Sequence, residues 1–84
     1  ANLRETRLSK ANLQKAILFG GDFQKAQLQG ANLRETDLQQ ADLDGADLAG
    51  ADLRGANLDR TRLVGTKWDE EDIEGVDLTQ AILQ

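Results

Sequence analysis

Residues 41–55 read ADLDG, ADLAG and ADLRG, three successive copies of one five-residue unit. Stepping by five from Leu43 toward the N-terminus reaches Leu38, Leu33, Leu28, Phe23, Leu18, Leu13, Leu8 and Leu3. Stepping the other way reaches Leu48, Leu53, Leu58, Leu63, Trp68, Ile73, Leu78 and Leu83. All are large and apolar, and the register never slips. Two residues before each stands a small residue, from Ala1, Thr6 and Ala11 to Val76 and Ala81, with Glu71 as the exception.

This period excludes a helix. At about 100° per residue, five residues advance about 500° and scatter the leucines round the cylinder. It also excludes one long strand, because five is odd and alternate leucines would change face. Inside one unit, however, the small residue and the Leu are two apart, so extended backbone points both inward and the residue between them outward. The last two residues must then turn the chain. Seven units end in glycine, at Gly20, Gly30, Gly45, Gly50, Gly55, Gly65 and Gly75. Glycine recurring at one phase points to a corner with positive φ, as in a type II turn. The units ending in Lys, Glu, Gln or Arg are expected to use another turn.

ADLDG, ADLAG, ADLRG and ANLDR, with ANLQK and ANLRE earlier, resemble the A(D/N)LXX pattern of the pentapeptide repeat family, and the resemblance covers the whole chain. It implies an all-β fold, a right-handed quadrilateral β-helix of about four coils. With four units per coil, residues twenty apart would stack in columns, such as Leu8, Leu28, Leu48 and Trp68. Coils about 4.8 Å apart would make a rod on the order of 20 Å long. Burying each Leu contributes roughly 1.5–3 kcal/mol, so the stacked leucines are the expected source of stability.

Residues 1–84 make one domain, expected to be a segment of a longer protein because Ala1 already stands in register and no initiator Met precedes it. The chain has no Cys, Met, His, Tyr or Pro. That excludes disulfides, thiolate or imidazole metal ligation, and histidine-based acid–base catalysis. Ser9 is the one serine, with no base to activate it. Neither a membrane-length apolar run nor a signal segment occurs, so the cytoplasm is the default compartment. Residues 1–40 carry six Lys/Arg and four Asp/Glu, whereas residues 41–84 carry four and eleven. A nucleic-acid binder shows the opposite bias, a basic stripe.

With the interior structural, function must lie on outward positions. Asp and Asn before each Leu read as structural, since short polar side chains hydrogen-bond nearby backbone. Two departures remain. Ile17 and Phe19 flank inward Leu18 and should both point outward, either as an apolar contact patch or with Phe19 folded over Gly20 and Gly21 as local packing. The run Asp69, Glu70, Glu71, Asp72, Ile73, Glu74 concentrates charge and places Glu71 where Ala belongs, so this coil is expected to loosen and expose it. The run reads as an end irregularity, a docking site for a basic partner, or a weak cation site.

The expected function is a non-catalytic scaffold or spacer that binds an unidentified protein, with no catalytic residues, cofactor, metal, direct nucleic-acid binding or membrane contact. The alternative is an acidic DNA-mimic rod, since some pentapeptide repeat proteins bind DNA gyrase and protect it from fluoroquinolones. Abundance of the family in bacteria, notably cyanobacteria, belongs to the same resemblance. Open ends in register also predict end-to-end self-association.

Overall fold

The computed structural model describes residues 2–84. Among the described residues eleven parallel bridges hold the chain together, each joining residues twenty apart, from Asn2–Asp22 and Arg7–Gln27 to Arg62–Ile82. One coil therefore takes four pentapeptides. Every bridge lies at the position before the inward residue, too short an extended piece to count as a strand. Between coils, Leu8 N–H donates to Gln27 O at 2.7 Å and Lys10 N–H to Gln29 O at 2.8 Å, while Gln27 N–H returns to Thr6 O at 2.8 Å. This three-bond rule repeats along the solenoid and consumes the backbone polar groups that a chain without long strands would otherwise leave open.

The corners close with a hydrogen bond from the first residue of one unit to the inward residue of the unit before, as in Ala11 N–H to Leu8 O at 3.0 Å. The third residue of each such turn has positive φ, as type II geometry requires. Glycine is not needed for it. Glu5, Lys10, Lys15, Lys25, Glu35, Gln40 and Arg60 adopt φ of 58–64°, beside 66–79° for the corner glycines. The expected second turn type for non-glycine corners is thus corrected: the bonds to neighbouring coils impose one corner geometry on both residue classes.

The interior is filled and continuous. Leu28, Leu33, Leu38, Leu43, Leu48 and Leu53 are each 1% exposed, with the alanines of their units packed among them. Thr36 and Thr61, buried at the small-residue position, donate their hydroxyls to Leu33 O and Leu38 O. No buried side-chain polar atom is unpaired among the described residues. Phe23 fills its column only because Gly21 replaces Ala beside it. Toward the N-terminus Leu3, Leu8, Leu13 and Leu18 are half-buried.

Two expectations are corrected at the level of shape and ends. The principal extents, 26 × 24 × 22 Å, describe a block about as wide as it is long and not a rod. Leu83, expected inside, is 46% exposed, with nothing in the described chain stacked beyond it.

The ladder is also interrupted. Among the described residues no bridge joins Asp52 to residue 72 or Asn57 to residue 77. A 3₁₀ helix over Glu70–Ile73 carries the chain off the column there. Arg60 N–H then meets Gln80 O, one residue out of the rule, before Leu63 N–H to Ile82 O restores it.

Candidate interaction surface

Outward side chains fall into two sets. The first serves the solenoid. Asp or Asn before the inward residue accepts the N–H two residues on, as in Asp42 Oδ1 from Asp44 N–H at 3.0 Å and Asp47 Oδ1 from Ala49 N–H at 3.1 Å. The same contact recurs at Asn2, Asn12, Asp22, Asn32, Asp37, Asp52, Asn57 and Asp77. A short acceptor on extended backbone reaches that amide, which is why the position favours these two residues. Where Arg62 replaces the acceptor, Asp44 of the coil before supplies it, taking Val64 N–H at 2.9 Å and pairing with the Arg62 guanidinium at 3.0 Å.

Ion pairs occupy several of these carboxylates. Arg54 donates from Nη2 to Asp52 Oδ2 at 2.6 Å, and Arg34 lies 3.6 Å from the same oxygen. The hydrogen bond from Arg54, against partial burial, holds the Asp52 carboxyl down from its usual 3.8 to about 2. Asp22 works against desolvation too, but Arg4 bound to its Oδ2 brings its pKa below the ordinary value.

The second set is not absorbed by the solenoid. Ile17 is 82% exposed and Phe19 54%, both on the unit whose inward residue is Leu18. With an aliphatic side chain at position 17, Phe19 N–H has no Asx acceptor beside it. Glu71 stands in solvent because the 3₁₀ helix turns its position out of the interior. Asp69, Glu70 and Glu74 are exposed with it. Asp72 is engaged within the chain: its Oδ2 accepts Gly50 N–H at 2.9 Å and Asp69 N–H at 3.0 Å. Those bonds, Gly50 first, hold the Asp72 carboxyl below the usual carboxylate value. The patch and the acidic run thus lie in different coils and are not brought together.

Sequence reasoning missed the capping role of Asp72. The signal was present: Lys67 replaces the usual Asx two residues before Asp69, so the Asp69 amide needed another acceptor. Among the described residues no group of three or more acidic side chains is placed to hold a metal ion. No helix is long and apolar enough to cross a membrane among them.

Two clefts follow the interruption of the ladder, one of about 400 Å³ between residues 50–54 and Glu71, Asp72 and Glu74. The other, about 280 Å³, separates residues 55–59 from Asp77 and Gln80.

Comparison with known proteins agrees with this architecture. The chain is similar to a crystal structure of the pentapeptide repeat protein Rfr23 from the cyanobacterium Cyanothece 51142, at 38% identity and a TM-score of 0.50, covering 99% of this chain and 47% of that one. It is similar to a pentapeptide repeat protein of the Arabidopsis thaliana thylakoid lumen at 32% identity and a TM-score of 0.51, covering 81% and 54%. QnrB1, a plasmid-mediated fluoroquinolone resistance protein, shares the fold at 23% identity and a TM-score of 0.52, covering 99% and 50%. The chain thus spans about half the length of each of these three solved proteins. No curated protein matches it. The profile for pentapeptide repeats matches eight copies, over residues 1–34 and 31–67. With that match on an unbroken five-residue period and a twenty-residue ladder, the chain belongs to the pentapeptide repeat family.

Proposed function

We propose that this domain is a non-catalytic scaffold or spacer that binds another protein through its outward side chains. We place it on a right-handed quadrilateral β-helix of about four coils, the form the family resemblance implies. The observation that carries the reading is the contrast between a filled interior and one bare apolar pair. Ile17 and Phe19 are two of the three large hydrophobic residues exposed among those described, and they share one unit. Side-by-side exposure of this kind is the usual mark of a contact surface, whereas single exposed leucines are ordinary.

Catalysis has no support in the arrangement. Ser9 donates its hydroxyl to Gln29 Oε1 at 2.7 Å, a contact between coils with no base in it. Nucleic acid and membrane are outside the reading, for want of a basic stripe or an apolar span. A DNA-mimic role would need a continuous row of free carboxylates, whereas Asp22, Asp44 and Asp52 are committed to arginines. In the isolated 84-residue chain, contact between copies at the N-terminal coil belongs to the proposal. There Arg7, Asn12 and Ile17 N–H meet no acceptor among the described residues.

A photo-crosslinking group at residue 19 tests the main reading. In extract of the native cell it should capture one protein, and Ile17→Ser should abolish the capture with circular dichroism unchanged. Equal capture by wild type and Ile17→Ser would remove the patch from the proposal. A gyrase supercoiling assay separates the DNA-mimic alternative.

A further inference from the structure

The three-bond rule states which carbonyl each amide should meet. Leu33, Glu35 and Leu38 N–H meet Asp52, Arg54 and Asn57 O at 2.8, 3.0 and 3.0 Å. One coil on, the same rule assigns Leu53, Gly55 and Leu58 N–H to the carbonyls of Asp72, Glu74 and Asp77. None of those bonds forms. The Ala51 and Ala56 carbonyls, due to accept Asp72 and Asp77 N–H, accept nothing among the described residues, and Asp72 N–H turns to Asp69 O instead. Five consecutive ladder groups are therefore open along residues 51–58.

Of the five residues that carry these groups only Gly55 is exposed. Leu53 is 1% exposed and Leu58 3%, and buried backbone donors in native proteins nearly always have partners. The edge opens on the two adjoining clefts, of about 400 and 280 Å³, which run along its length. The chain's own residues 71–78 are poorly suited to close the ladder there. Doing so would turn Glu71 into the interior and burying that carboxylate is costly. It would also withdraw Asp72 from the Gly50 and Asp69 amides.

We infer that the edge of residues 51–58 receives one extended, basic peptide strand, which pairs with the main-chain groups the ladder leaves open. Addition of a strand to an open sheet edge draws affinity from main-chain bonds and specificity from alternate side chains. Leu78 packs against the core, so the entering strand offers small side chains on its inner face. Its outer face meets Glu71 and Glu74 in the first cleft and Asp59 and Asp77 in the second. Arg54, the one cation of the first cleft, is held by Asp52. Lysine or arginine at alternate positions is the complementary chemistry. This inference rests on the reading of the domain as a protein-binding module, at an edge two coils along from Ile17 and Phe19.

The test uses the whole chain and an acetylated, amidated peptide of alternating Lys and Ala, seven residues long. Its controls are the alternating Glu–Ala peptide and a Lys–Ala copy N-methylated at every second residue. Amide hydrogen exchange is read at Leu53, Gly55 and Leu58. At saturating Lys–Ala peptide, protection at these three amides should rise about tenfold or more, with neither control reproducing it. Glu71→Gln combined with Glu74→Gln should weaken binding about tenfold and leave the far-ultraviolet spectrum unchanged. Equal protection by the N-methylated peptide would overturn the strand-pairing inference. So would binding that leaves the three amides unprotected, although a role for Ile17 and Phe19 would survive that result. Absence of binding at millimolar peptide would overturn it as well.

Discussion

A methyl group placed on Gly21 would stand 2.5 Å from Phe23 Cε2 and 3.1 Å from the Leu18 carbonyl. Gly21 occupies the small inward position that alanine fills in most units, and Phe23 the large one. The pair is a volume exchange, with the ring taking the space the missing methyl leaves. Gly21→Ala should therefore overpack the coil and cost roughly 1–3 kcal/mol. In Phe23→Leu the same change should be nearly free, because the neighbouring units already hold an alanine with a leucine. A double-mutant cycle by urea denaturation reads the coupling directly. Additive losses would show that the two residues do not share the space.

Inside and outside separate cleanly in mid-stack. Leu48→Ala removes a side chain that is 1% exposed and should cost roughly 2–5 kcal/mol. Asp47, next to it, gives up the Ala49 N–H contact and a bond from Gln29 Nε2 at 3.0 Å. Asp47→Ala should cost about 1 kcal/mol. Leu8→Ala, in the same column but half-buried, should fall between them.

The alternation of inward residues was legible because a five-residue period admits no other backbone, and Leu48 and Asp47 needed nothing more. Corner conformation was not legible at Lys10, Lys25 and Glu35. Their residue types argue against positive φ, and bonds from neighbouring coils overrule that preference. Gly30, Gly45 and Gly55 one coil later leave room over which those side-chain stems lie. Ile17 and Phe19 could be placed outward from phase alone. Lys67 signalled that the Asp69 amide lacked its usual acceptor, but not that Asp72 supplies one, since at its phase an aspartate reads as one more acceptor for its own unit. Only the 3₁₀ helix, raised by Glu71, turns its carboxylate back to Gly50.

Corner strain makes a stabilising substitution available. A non-glycine residue in the left-handed region costs roughly 1–2 kcal/mol, offset in Gln40→Gly by about 0.5–1 kcal/mol of added unfolded-chain entropy. Gln40 is exposed at φ 60°. Gln40→Gly should gain up to about 1 kcal/mol, seen as a raised denaturant midpoint. A lowered midpoint would mean that the side chain contributes contacts exceeding the strain.

Acid should weaken the fold through specific carboxylates. The Asp52 carboxyl sits at about 2, below its usual 3.8, and Asp22, Asp72 and Asp77 are lowered in the same direction. A depressed folded-state pKa contributes stability above the unfolded value, lost as pH falls through the folded one. The urea midpoint should hold near neutrality and drop from about pH 5 to about pH 2. Asp52→Asn should flatten part of that drop. An unchanged slope would remove the Arg54 pair from the explanation.

Asp72 joins the interrupted coil to the intact one through two amides on a single carboxylate oxygen, Gly50 N–H across the coil and Asp69 N–H at the helix start. Asp72→Ala should leave both without acceptors and loosen Glu70–Ile73, while the ladder below Leu48 stays closed. Amide exchange resolves the two outcomes, because Gly50 and Asp69 report the carboxylate and Leu48, donating to Lys67 O at 2.7 Å, reports the ladder. Gly50 and Asp69 protection should fall about tenfold, with Leu48 unchanged. Glu70→Ala, which removes an exposed carboxylate of the same run, should change none of the three. Asp72→Asn keeps an amide oxygen in place of Oδ2 and should recover most of the protection, separating the acceptor from the charge. Loss at Gly50 in Glu70→Ala would instead assign the effect to the charge of the run as a whole.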